Sequence, residues 1–263
     1  MRSAGGESVP DMAVEKKKVT EQKKKERTGS GDSRGTGNPD TMAVTPILKR
    51  DADGLFLTDG TLKLRGDFRR LLPRIRYDNL GHELIVKAAR QKRRADAADA
   101  ASPLIADATA GLGEDSFLLA AAGFSVLLFE RDPVIAALLE DALCRAAADP
   151  DLQGIAARMT LRKEDSLAAL PRLERAPDVI VLDPMFPERQ KSALVKKKFQ
   201  LLQSLENPCT EEDAEALLHA AFAAKPGKIL VKRPKKVPYL AGVRPAYSIT
   251  GSTIRYDCIL LKV

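Results

Sequence analysis

The sequence predicts an α/β fold built on a doubly wound, mostly parallel sheet, and three observations predict it. Leu104 to Phe117 reads as a short apolar strand ending in Asp107, a turn through Gly111 and Gly113, and then an apolar pattern of helical period. From there strand-like and helix-like segments alternate, the rhythm of βαβ units. Finally, Val179 to Leu182 is an unbroken apolar run, the pattern of a buried strand, and it stops at Asp183-Pro184.

Length and composition narrow the class. At 263 residues the chain can bury a full core, and one α/β domain with appendages is expected. No apolar run approaches the roughly 18 residues needed to cross a bilayer, so no membrane association is expected. The net charge of +7 favours a polyanionic partner. Cys144, Cys209 and Cys258 are far apart and show no metal-ligand spacing, and the only histidines are His82 and His219. A reduced, metal-free protein of the cytoplasm is the expectation.

Taken in order, residues 1–43 mix Lys, Glu, Gly, Ser and Thr with almost no large apolar side chains, a composition unable to bury a core. They are expected to form a disordered charged tail. Residues 44–103 are read as an extension carrying a hairpin and a helix. The hairpin is Gly54 to Gly66, alternating around Asp59-Gly60, and the helix runs from about Asn79 to Lys92. Between them stand Arg69, Arg70, Arg74 and Arg76, which suit either phosphate contact or a solvated face.

Residues 104–263 hold the sheet. Strands are expected at Leu104–Asp107, Ser125–Glu130, Met159–Lys163, Val179–Leu182, near Lys228–Lys232 and near Asp257–Lys262. Helices are expected from Asp115, over Pro133 to about Ala147, and over Thr210 to Ala224. Pro133 in a first helical turn and Pro226-Gly227 beyond the last helix are matching start and stop signals.

Gly111 and Gly113 permit a tight turn and close approach of a ligand to the backbone. In a dinucleotide site the following turn faces a pyrophosphate. Here it carries Glu114 and Asp115, which would repel phosphate and suit the ammonium and sulfonium of S-adenosylmethionine. An ordinary tight turn with no ligand is the bland alternative. Glu130 lies about 20 residues beyond the turn, where a carboxylate receives ribose hydroxyls. Asp165 and Ser166 follow the third strand at the same sheet edge, placing them to meet an adenine, although Asp165 equally suits a helix N-cap.

Asp183-Pro-Met-Phe-Pro187 is the most specific segment. Its carboxylate and carbonyls are acceptors, which is what an exocyclic amine requires. An aryl amine is a poor nucleophile because its lone pair is delocalised into the ring. Accepting both N–H bonds at the Asp183 carboxylate and the Pro184 carbonyl would aim that lone pair at an electrophilic methyl. Phe186 is suited to stack on the base. Catalysis of this kind is positioning and electrostatics.

Several segments together resemble the RsmJ family of S-adenosylmethionine-dependent methyltransferases of small-subunit ribosomal RNA. They are Asp107-Ala-Thr-Ala-Gly-Leu-Gly113, Asp132-Pro-Val-Ile-Ala-Ala-Leu-Leu139, Leu182-Asp-Pro-Met-Phe-Pro187, Gln190-Lys-Ser-Ala-Leu-Val-Lys-Lys197, Val231-Lys-Arg-Pro234 and Arg255-Tyr-Asp257. The resemblance runs from about Arg74 to Lys262. It implies a Rossmann-like class I methyltransferase fold and methylation of a guanine N2 near the 3′ end of that RNA. The matching cofactor positions are Glu114, Asp115, Glu130, Arg131, Asp165, Ser166 and Asp183. Two departures stand out. Tyr77 to Glu83 replaces a Gly-rich, Arg-containing run, and Met185 stands where the broader amino-methyltransferase pattern has a second proline.

Basic runs flank the proposed site: Arg189, Lys191, Lys196 and Lys197 on one side, Lys232 and Arg233 on the other. With Arg74 and Arg76 they are the candidate RNA contacts, their contribution being phosphate neutralisation. The expected partner is ribosomal RNA or the small ribosomal subunit. Rival readings are methylation of another RNA, a DNA base or a protein amide, and a catalytically silent RNA-binding assembly factor.

Overall fold

A computed structural model describes residues 46–90, 102–184, 201 and 209–261. The expected tail over residues 1–43, together with Phe186, Arg189, Lys191, Lys196 and Lys197, lies outside the described residues.

The chain first forms a small antiparallel sheet of β1 (Ile47–Asp51), β2 (Gly54–Thr58) and β3 (Lys63–Leu64). The expected hairpin is β2 and β3, and its turn is set by Asp59, whose Oδ1 accepts the amides of Thr61 at 2.9 Å and Leu62 at 2.7 Å. Leu57 and Leu64 face inward against Leu138.

The large sheet holds β4 (Leu104–Asp107), β5 (Ser125–Phe129), β6 (Met159–Arg162), β7 (Val179–Leu182), β8 (Lys228–Pro234), β9 (Tyr247–Thr250) and β10 (Ile254–Leu260). Its order is β6-β5-β4-β7-β8-β10-β9. Neighbours from β6 to β8 are parallel, whereas β10 pairs antiparallel with both β8 and β9. The winding reverses between β4 and β7, and in open α/β sheets such a switch point is where ligands bind, outside the strand carboxyl ends.

Eight helices are labelled among the described residues: α1 (Leu72–Ile75), α2 (Tyr77–Leu80), α3 (Leu84–Ala89), α4 (Glu114–Ala121), α5 (Pro133–Ala147), α6 (Gln153–Ala156), α7 (Ser166–Ala169) and α8 (Glu211–Ala223). Alternation along the strands feeds two cores. Ile105, Val179, Val181 and Leu230 pack with Phe117 and Leu118 of α4 on one face, while Ala106, Ile180, Leu182 and Val231 pack with Leu217, Leu218 and Ala221 of α8 on the other. Phe117 also stacks on Phe68, ring centroids 4.6 Å apart, which ties the extension to the sheet. Burying a side chain of that size stabilises by about 1.5–3 kcal/mol.

The predicted parallel α/β sheet is present, with differences in detail. The single helix expected from about Asn79 to Lys92 is, over the described residues to Arg90, two short helices, α2 and α3, because Glu83 is extended (φ −60, ψ 128) and its two carboxylate oxygens hold the Arg74 guanidinium; residues 91 and 92 lie outside the described residues. α3 gives way to extended backbone at Arg90, where the buried Lys228 ammonium donates to the carbonyls of Ala88 at 2.7 Å and Arg90 at 2.9 Å. β9 was not expected, and β10 begins at Ile254 rather than near Asp257.

Candidate active site

The glycine turn follows β4, whose last residue, Asp107, is 3% exposed. Asp107 accepts Ser116 Oγ at 2.6 Å and the Thr109 amide at 3.1 Å. Burial nevertheless pushes its carboxyl up to about 6, against the pull of those two donors and with the push of the Asp115 and Asp183 charges.

Both turn glycines are left-handed, Gly111 at φ +54 and Gly113 at φ +77. Their surroundings differ. A Cβ on Gly113 would stand 2.7 Å from Leu139 Cδ1, whereas one on Gly111 would meet nothing within 4 Å. Gly113 is therefore a packing glycine, and Gly111 borders open space.

Glu130, just beyond β5, is buried and crosses back to the turn. Its Oε2 accepts the Gly111 amide at 3.0 Å and its Oε1 the Asp132 amide at 2.8 Å. Asp132 caps α5 through the amides of Val134 and Ile135, with Pro133 in the first turn. Three residues beyond β6, Asp165 caps α7 through the Leu167 amide at 2.9 Å, and its other oxygen lies 3.9 Å from Arg131 Nη1. Ser166 is the buried first residue of α7. Asp165 thus fills the capping role that the sequence left open, at the sheet edge where a ligand role was also expected.

Asp183 and Pro184 follow β7 across the switch point. The Asp183 amide donates to Thr109 Oγ1 at 2.8 Å, so the acceptor loop is hung on the glycine turn. The Asp183 carboxylate lies 2.9 Å from Lys232 Nζ, and the same ammonium lies 2.8 Å from Asp115 Oδ2. Tyr256, opposite Lys232 in the β8/β10 register, donates its hydroxyl to Asp115 Oδ2 at 3.1 Å. Burial works against the Lys232 charge, but the Asp115 and Asp183 carboxylates more than offset it, and the ammonium is held well above the ordinary lysine value. Burial and then the Asp115 charge push the Tyr256 phenol up as well, so it serves as a donor.

Asp107, Asp115, Glu130, Asp165 and Asp183 thus line one edge of the sheet around the switch point. Glu114 opens α4 and is exposed. The candidate RNA contacts are placed differently from one another. Lys232 faces inward to the two carboxylates. Arg233 is buried, donates to the Pro238 carbonyl at 3.2 Å, and has its charge disfavoured by burial and by Arg255. Arg74 is paired with Glu83, whose hydrogen bonds hold its guanidinium above the ordinary value. Arg76 is exposed. Sequence reasoning missed Tyr256, Thr109 and the inward role of Lys232. Only the pairing of β8 with β10 reveals Lys232 and Tyr256 as neighbours, and no local motif encodes it.

A family model described as "Putative SAM-dependent methyltransferase" matches residues 63–261. The chain belongs to this SAM-dependent methyltransferase family. Among the members' relatives, the ribosomal RNA small subunit methyltransferase J of Pseudomonas aeruginosa strain UCBPP-PA14 is 51% identical over 156 residues, 59% of each chain. The protein of the same name from Pseudomonas fluorescens strain Pf0-1 is 48% identical over 156 residues, again 59% of each. The match therefore spans 59% of the length of these curated relatives. A crystal structure of a SAM-dependent methyltransferase from Neisseria gonorrhoeae is 32% identical, with a TM-score of 0.65 over 85% of this chain and 86% of that one.

Membership of the methyltransferase family makes S-adenosylmethionine the cofactor, and the site fits it. Open space stands where a Cβ on Gly111 would be, so backbone and ligand are able to meet there. The polar groups around it are mainly carboxylates, suited to hydroxyls and to an ammonium and sulfonium. Among the described residues no cluster of three or more His, Cys, Asp or Glu is placed to hold a metal ion, and no helix is long and apolar enough to cross a membrane.

Proposed function

We propose that the protein transfers a methyl group from S-adenosylmethionine to the exocyclic N2 amine of a guanine in small-subunit ribosomal RNA. The observation that carries this reading is the placement of Asp183-Pro184 at the end of β7, hydrogen-bonded to the turn after β4 and joined through Lys232 to Asp115. The names of the curated relatives support the RNA substrate.

When bound, the cofactor supplies an electrophilic methyl. Glu130 receives the ribose hydroxyls, and Asp115 in the first turn of α4 receives the ammonium. Asp165 and Ser166 border the adenine, with Arg131 beside them. The Asp183 carboxylate and the Pro184 carbonyl accept the N–H groups of the target amine and keep its lone pair directed at the methyl. A carboxylate has lone pairs for several donors, so Asp183 is able to serve Lys232 and the amine together. Phe186 stacks on the base. The chain contributes positioning and fixed charge, with no covalent enzyme intermediate.

In this reading residues 104–263 form the catalytic domain, residues 44–103 an RNA-facing extension and residues 1–43 a charged tail, in a cytoplasmic protein acting on ribosomal RNA or the small subunit. Phosphate contacts fall to Arg76, Arg189, Lys191, Lys196 and Lys197, because Arg74, Lys232 and Arg233 are engaged within the fold.

Tritiated cofactor offered with pools of RNA, DNA and protein tests the substrate class, and mapping methylated guanines in ribosomal RNA from cells with and without the protein tests the site. Label on small-subunit RNA and loss of one methylguanine on deletion are expected. Label on DNA or protein alone, or an unchanged methylation map, would overturn the reading. Asp183→Ala in a folded protein is expected to lower turnover by about a hundredfold or more.

A further inference from the structure

We propose that Lys232 is a positioning residue that bridges Asp115 and Asp183 and makes the cofactor side and the acceptor side of the site respond to one another; this rests on the methyl-transfer reading above. Its single nitrogen touches Oδ2 of both carboxylates, at 2.8 and 2.9 Å, and all three side chains are largely shielded from solvent, at 25, 24 and 36% exposure for Lys232, Asp115 and Asp183. Asp115 belongs to α4 and Asp183 to the end of β7, so the bridge spans two elements of the site from a third, β8.

The chemistry requires an ammonium. Two carboxylates close enough to reach one nitrogen repel each other unless a cation lies between them, and in a half-buried setting that repulsion is weakly screened. Lysine has three donors on one compact charge and is able to bond both oxygens at once. The Tyr256 hydroxyl fixes the Asp115 end of the bridge by donating to the same Oδ2.

Coupling follows from sharing. A ligand ammonium arriving at Asp115 competes with Lys232 for that carboxylate and shifts the lysine toward Asp183. Removal of the Asp183 charge does the opposite. It leaves Lys232 wholly to Asp115, and the cofactor then competes against a firmer ion pair. Thermodynamic linkage makes the two effects reciprocal.

A double-mutant cycle on cofactor affinity, measured by calorimetry without any acceptor, tests this. Asp183→Asn is expected to weaken S-adenosylmethionine binding about threefold or more in the parent protein, and to change it by less than about 1.5-fold when Lys232→Met is already present. An equal effect in both backgrounds would overturn the coupling, because Asp183 would then act on the cofactor directly. In steady-state assays with transcribed small-subunit ribosomal RNA, Lys232→Met is expected to lower kcat about tenfold or more with KM for RNA nearly unchanged, and Lys232→Arg to recover most of it. Parent-like kcat in a folded Lys232→Met protein would overturn the positioning role. Melting curves accompany each variant, and Lys232→Gln replaces Lys232→Met if the latter does not fold. A parent protein that binds cofactor yet methylates no ribosomal RNA would sink the functional reading alone, since the binding cycle needs no acceptor.

Discussion

Ser116 Oγ donates to Asp107 Oδ2 at 2.6 Å in a site where the serine is fully buried and the aspartate nearly so. The bond joins the end of β4 to the first turn of α4 beneath the glycine turn. Ionised Asp107 depends on this donor. Ser116→Ala is therefore expected to destabilise the fold by about 1–3 kcal/mol, and by more at pH 8 than at pH 5, as urea melts at the two values would register.

Asp107 also sets a pH dependence whose sign is opposite to that of an ordinary salt-bridged aspartate. Its carboxyl is raised from 3.8 to about 6 on folding, so the folded state binds the proton more tightly than the unfolded one. Stability from this group is full below pH 4 and falls as pH rises to about 6, by about 3 kcal/mol in all. Asp107→Asn is expected to flatten that part of the stability profile. A profile unchanged between pH 4 and 7 would contradict the assignment.

The two turn glycines are expected to fail in different ways. Gly113→Ala combines a left-handed backbone with a Cβ only 2.7 Å from Leu139 Cδ1, and should lower stability by about 2–4 kcal/mol. Gly111→Ala has the space, and should lower it by only about 1 kcal/mol while weakening cofactor binding at least about tenfold. Thermal melts and calorimetry on both proteins separate packing from ligand approach.

Glu130 holds the amides of Gly111 and Asp132 and is the proposed receiver of the ribose hydroxyls. Glu130→Gln turns one acceptor into a donor that faces those amides. Cofactor affinity is expected to drop about tenfold or more, and comparable binding by the variant would remove Glu130 from the cofactor's partners.

Arg74 offers a test of the extension. Because its guanidinium is held by Glu83, Arg74→Ala is expected to leave the salt dependence of the proposed RNA binding untouched, whereas loss of a phosphate contact would reduce the slope of log K against log salt by about one. Filter binding across a salt series decides between them, and Arg76→Ala serves as the comparison because Arg76 is exposed.

The sheet was legible in the sequence because buried parallel strands are continuous apolar runs and their helices carry plain caps. Val179–Leu182 and Pro133–Ala147 coincide with the expected elements. The positions of the candidate site residues were legible to the same degree, since Asp107 terminates β4 while Glu130 and Asp183 follow β5 and β7. What the sequence hid came from long-range pairing. Glu83 breaks the expected helix because a guanidinium nine residues earlier claims its carboxylate, and a local period contains no sign of that. Lys232 looked like part of a surface basic run because charge runs usually are solvated, and only its neighbours on α4 and β7 turn it inward.

The reversed strand β10 has a consequence for how the protein acquires its activity. Tyr256 reaches Asp115 across 141 residues of chain, and Lys232 does so across 117. Contacts of such separation form after most of the loop-closure entropy has been spent. The glycine turn and its carboxylates are assembled early in the sequence, but their compensating cation and phenol arrive only with the strands near its end. A chain whose last strands have not docked therefore has the turn and lacks the cation and the phenol that hold Asp115.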